Sequence, residues 1–76
     1  MLSPVESISK TYQLTPAEGR VLLAVAAIGG IPEVASALGI SEATAKTHLQ
    51  HVFEKTRTNR LADLVKLVAS YGNPLS

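Results

Sequence analysis

The chain shows two regimes of polar and apolar positions. Up to residue 13 the pattern is broken by Ser3, Pro4, Ser7 and Ser9 with no sustained period, so residues 1–13 read as a linker or flexible arm. From Leu14 onward the pattern is helical. Thr15-Pro16-Ala17-Glu18 carries the signals of a helix start: a hydroxyl cap, a proline at the first helical position and a glutamate placed to reach back in a capping box. Leu14 precedes the cap, where it can staple onto the first turn. The following run from Val21 to Ile28 is apolar on nearly every side and stops at Gly29-Gly30. A helix of that kind, here over 16–28, is expected at the centre of a small bundle.

A second, shorter helix is predicted over 32–38, with Val34, Ala35 and Leu38 on one face and Gly39 as a left-handed terminator. Ser41 is a good cap for a third helix over 42–55. Two short helices joined by about three residues containing a glycine form the helix-turn-helix pattern. Within the third helix, Ala45, Leu49, Val52 and Phe53 fall in an arc of about 100°, the width of a core-facing stripe. Thr44, Lys46, Thr47, His48, Gln50, His51 and Lys55 occupy the other face, which has hydrogen-bonding groups and no large apolar residue.

Asn59 is placed to cap a fourth helix over 60–70, and residues 72–76 read as a C-terminal tail. In this helix Leu61, Leu64, Val65, Val68 and Ala69 make one face, and Ala62 and Leu67 widen the apolar arc to about 220°. A helix lying on a small core needs roughly half of that. The excess points to a second partner, most simply the same helix of another subunit; packing by the tail residues Tyr71, Pro74 and Leu75 is the alternative. Helix 16–28 raises a similar question, because Leu22, Leu23 and Ala26 cannot all face one core. The expected fold class is therefore all-α, a compact four-helix domain over 14–71 that contains a helix-turn-helix.

Composition narrows the function. The 76 residues are 46% apolar and 17% charged, which suits a packed domain and not a disordered one. With no cysteine, neither disulfides nor thiolate metal sites are available. No apolar run approaches the ~20 residues of a membrane span and no secretory signal is visible, so the expected location is cytoplasmic. The net charge of +1 hides an asymmetry. Residues 1–40 hold two cations against three carboxylates, whereas residues 41–60 hold Lys46, Lys55, Arg57 and Arg60 against Glu42 and Glu54. A local basic patch suits duplex DNA, though it also suits an ordinary solvated face. His48 and His51, three apart on one helix, have the spacing of two zinc ligands, but only Thr44 and Lys55 neighbour them on that face. No metal and no cofactor are expected. Neither paired carboxylates nor a nucleophile–base set nor a phosphate loop has workable spacing, so the chain is not expected to be an enzyme.

Leu14-Thr15-Pro16-Ala17-Glu18 and the block Leu38 to Leu49 resemble the LuxR/GerE-type helix-turn-helix domain found at the C-terminus of many bacterial transcription regulators. Val52-Phe53-Glu54-Lys55, Thr56 to Arg60 and Ala62-Asp63-Leu64-Val65 extend the likeness. The resemblance implies sequence-specific binding of double-stranded DNA, with helix 42–55 in the major groove and pairing as a homodimer through helix 60–70. On that basis Lys46, Thr47 and Gln50 are the expected base contacts. Ser41, Thr44, His48, His51, Lys55, Arg57 and Arg60 are the expected backbone contacts. Ala62, Val65, Leu67 and Ala69 are expected at the dimer interface. The residue types fit: lysine can address guanine or phosphate, glutamine can read adenine, and a threonine methyl can meet a thymine methyl. The chain departs from the family pattern at Ala17, Glu33, Ala45 and Gln50, and three of these, Ala17, Glu33 and Gln50, replace a cation, so DNA affinity should be modest and dependent on dimerisation. The input signal is expected to lie in a missing N-terminal sensory or receiver domain or in a partner. A helical protein-interaction or dimerisation module with little DNA affinity is the alternative, supported by the wide face of helix 60–70.

Overall fold

A hydroxyl residue, then proline, then glutamate two positions on, opens both of the first two helices. The computed structural model describes residues 2–72. Among them are five helices: α1 (Pro4–Tyr12), α2 (Pro16–Ile28), α3 (Ile31–Leu38), α4 (Glu42–Thr56) and α5 (Leu61–Gly72). No strand occurs among the described residues. α2 to α5 are the four expected helices, with ends that differ by at most two residues. α1 is a correction. The segment expected to be a linker or flexible arm forms a helix that Ser3 and Glu6 cap reciprocally, each bonding the other's backbone N–H at 3.1 Å.

Nine residues are too few to hold a helix alone in water, so α1 exists because it is docked. Val5, Ile8 and Tyr12 recur at helical spacing; Ile8 is fully buried, and the other two pack on the core. Burying one isoleucine side chain contributes about 2 kcal/mol. α1 lies against α2 and α5. It crosses α2 closely at Gly19, where a Cβ would stand 3.1 Å from the Ser9 hydroxyl oxygen.

α2 is the central helix, as its apolar run predicts, and it touches all four others. Its Val21, Leu22, Ala24 and Val25 join Ile8, Val34, Leu49, Val52 and Leu64 in one core. Leu22, Leu23 and Ala26 indeed do not share a face: Leu22 is buried, Ala26 half-buried and Leu23 exposed.

α3 and α4 form the helix-turn-helix. Gly39 sits in the left-handed region at φ 67°, a conformation that a Cβ disfavours. There its N–H donates to the Ser36 carbonyl (3.3 Å), and the N–H of Ile40 reaches back to Ala35 (3.0 Å). That pattern closes α3, and half-buried Ile40 packs onto the core beneath it.

Two further expectations change at α5. Leu64 donates to the Arg60 carbonyl at 3.1 Å, so Arg60 holds the cap position expected of Asn59. The wide apolar arc is also partly covered within the chain. Leu64 is fully buried, and Leu67, expected at a subunit interface, packs half-buried against the core, as does Val68. α1 supplies part of that cover. Of the tail expected over 72–76, residues 73–76 lie outside the described residues, as does Met1.

Candidate nucleic-acid interface

α4 separates its faces as its sequence predicts. Ala45, Leu49 and Val52 are buried and Phe53 packs half-buried on the core. Thr56 extends the buried row: its hydroxyl donates to the Val52 carbonyl (2.8 Å) and lies 3.0 Å from the Thr58 hydroxyl. Ser41, Thr44, Lys46, Thr47, Gln50, His51 and Lys55 are exposed, and His48 is half-buried.

The start of α4 is pinned by Ser41, whose hydroxyl accepts the Thr44 N–H (3.0 Å) and donates to the Thr44 hydroxyl (2.9 Å). Free N–H groups of a first helical turn suit a phosphate, and this cap orients them. One turn on, the Thr47 hydroxyl donates to the Ala43 carbonyl at 3.0 Å. Its proton is thereby used, which leaves a methyl group and an acceptor facing outward. Lys46 and Gln50 stand one turn apart on the adjoining flank, both exposed, with Lys46 in no ion pair among the described residues. A cation, a methyl-bearing acceptor and an amide together form a surface that can address both base edges and phosphates.

The other flank of α4 is tied inward. Glu18, only 3% exposed, receives the Lys55 ammonium at 2.6 Å, and His51 Nδ1 lies 3.4 Å from its second carboxylate oxygen. Lys55 also donates to the Gln13 carbonyl at the end of α1 (3.3 Å). Glu18 keeps its capping role as well, accepting the Thr15 N–H at 2.9 Å while its own N–H donates to the Thr15 hydroxyl at 3.2 Å. The Lys55 hydrogen bond and then the Thr15 N–H outweigh burial and lower the Glu18 pKa to about 2. The carboxylate is therefore ionised at neutral pH.

Of the ten residues expected at DNA, Lys46, Thr47, Gln50, Ser41, Thr44 and His48 lie along one stretch of α4. Arg57 and Arg60 are exposed in the α4–α5 connection and form no ion pair among the described residues. His51 and Lys55 instead face Glu18. Glu18 and Gln13 are the residues that sequence reasoning missed. Glu18 is legible only as a cap partner, because the spacing to Lys55 across 37 positions carries no local signal.

The family model for bacterial regulatory proteins of the luxR family, GerE, matches residues 12–68. The chain belongs to this family. Its helix-turn-helix is the DNA-binding domain of luxR-family regulators, and the family is one of regulators rather than enzymes. Neither a curated protein nor a solved structure matches the chain. The luxR assignment spans α2 to α4 entire and most of α5, and leaves nearly all of α1 outside. No helix among the described residues is long and apolar enough to cross a membrane.

Proposed function

We propose that this luxR-family domain binds double-stranded DNA sequence-specifically, with α4 lying in the major groove. The observation that carries the reading is the uncommitted flank of α4. Lys46, Thr47 and Gln50 are exposed together, beside a capped helix start and clear of every intramolecular ion pair among the described residues. In this reading Lys46, Thr47 and Gln50 reach base edges. Ser41, Thr44 and His48 approach the backbone, and Arg57 and Arg60 neutralise phosphates beyond the end of α4. Lys55 and His51 contribute less to phosphate binding because Glu18 already holds them; their part is to set the angle of α4 on α2.

The proposal includes pairing on a two-fold site through α5. Leu61, Ala62, Val65 and Ala69 are exposed along one stripe, with Leu61 36% and Val65 42% accessible. Two copies joined there would present their α4 helices to half-sites about 34 Å apart.

The test is an amide chemical-shift titration with a duplex of arbitrary sequence, at low and then moderate salt. Shifts confined to residues 41–50 and to Arg57 and Arg60, fading as salt rises, are the expected result. Absence of shifts, or shifts indifferent to salt, overturns the reading. Lys46→Ala should weaken binding by about tenfold or more while changing stability by less than about 0.5 kcal/mol.

A further inference from the structure

Leu2 and Leu23, 45% and 57% exposed, belong to one feature outside the α4 surface. Both line a groove of about 430 Å³ between α1 and α2, together with Val5 and Gly19. A second lobe of about 260 Å³ shares Val5 and Leu23 and continues over Ala26 and Ala27 to Val68 of α5. Both lobes are open to solvent along the surface and their walls are almost wholly apolar. An open trough encloses a small molecule poorly, since ligand pockets bury most of what they hold. An open trough of two adjoining apolar lobes instead suits the apolar face of a docked helix.

The rim has a sign. Lys10 and Arg20 are the only cations in the first 40 residues, and both line this groove. Neither forms an ion pair among the described residues. The one carboxylate at the rim, Glu6, is turned back to the Ser3 N–H at 3.1 Å, where it caps α1. The groove therefore presents apolar walls under a rim of net positive charge, two cations against the one carboxylate of Glu6. No residue of α3 or α4 lines either lobe, nor do Leu61, Ala62, Val65 and Ala69 of α5.

We propose that the groove between α1 and α2 docks an acidic amphipathic helix of a partner protein. Its apolar side chains seat on Leu2, Val5 and Leu23, and its carboxylates face Lys10 and Arg20. Because the groove shares no residue with the α4 surface, the same molecule holds this partner and a duplex together. Contact between the domain and another component of a regulatory assembly then needs neither DNA release nor a change in α4.

The experiment uses the isotope-labelled chain and two synthetic helices with leucines at i, i+3, i+4 and i+7. One carries glutamates on its remaining face and the other carries lysines. The acidic helix should shift amides of residues 2–10 and 19–27, leave residues 41–50 unmoved, and bind at least about tenfold more tightly than the basic one. Leu23→Asp, at an exposed position, should retain the native amide spectrum and abolish binding. Arg20→Glu, which does not touch the core, should narrow or invert the preference between the two helices. A duplex added to the loaded protein should bind as it does to the free one. Equal binding of both helices, or shifts centred on Leu61, Val65 and Ala69, overturns the proposal. Groove shifts that appear on raising protein concentration without any peptide would make a second copy of the chain the occupant. Stronger binding to vesicles of anionic phospholipid than to the acidic helix would make it a membrane surface.

Discussion

Ser3-Pro4-Val5-Glu6 and Thr15-Pro16-Ala17-Glu18 are the same device used twice, and they do different things. Each places a hydroxyl cap, a proline at the first helical position and a glutamate that closes the box. Glu6 ends its work there: it is exposed, and the Ser3 N–H is the main cause of its lowered pKa. Glu18 is buried and its carboxylate gathers Lys55 and His51 from α4, while Lys55 also reaches Gln13 at the end of α1. One box starts a helix. The other starts a helix and also joins three elements, setting how α4 sits. The lesson is that a local motif defines where a helix begins, whereas its tertiary neighbours define what that beginning holds in place.

The largest expected effect tests whether α1 is docked at all. Ile8→Ala should destabilise the domain by about 3 kcal/mol, measured by urea denaturation, because a fully buried side chain leaves a cavity. A loss near zero would return residues 4–12 to the status of an arm. Next comes the contrast between the two glutamates. Glu18→Ala should cost about 2 kcal/mol, since it leaves the Lys55 ammonium without its carboxylate and opens the cap. Glu6→Ala should leave the urea midpoint almost unchanged, as an exposed box contributes only its cap. Equal losses at the two positions would dissolve the distinction drawn above.

Acid titration sharpens the same contrast. The Glu18 pKa falls from an ordinary 4.5 to about 2 in the folded domain. A depressed carboxylate contributes stability that is fully present above its unfolded value and is lost as pH falls through the folded one. Stability should therefore decline between pH 4.5 and 2, and Glu18→Gln should flatten that limb in urea melts taken at several pH values. The smallest effect concerns Arg57, which closes α4 in the left-handed region at φ 58°. Arg57→Gly should raise stability by about 0.5–1 kcal/mol while weakening duplex binding, which separates its backbone strain from its charge.

The second box shows how much of the molecule local pattern could reveal and where that stopped. Thr15 to Glu18 is readable because a long apolar run follows it; Ser3 to Glu6 has the same hydroxyl-proline-glutamate spacing but is followed by serines, so local pattern does not announce its helix. Gly39 announced the end of α3 through its lack of a Cβ. Gln13 and Arg57 end α1 and α4 in the same left-handed region, and neither residue type signals it. The exposed row Lys46, Thr47 and Gln50 was legible from helical period alone. The engagement of Lys55 and His51 was not, because it depends on where Glu18 comes to rest.

By itself, then, the sequence determined the all-α class, the helix-turn-helix, the core row of α4 and the polar row opposite, since period and capping are local properties of neighbouring residues. Tertiary structure alone decided that α1 folds, that it covers part of the apolar arc of α5, that Lys10 and Arg20 share a groove, and that Glu18 clasps α4. Each of these depends on residues far apart in the chain meeting in space. Burial and charge pairing act across that distance, and no local pattern encodes them.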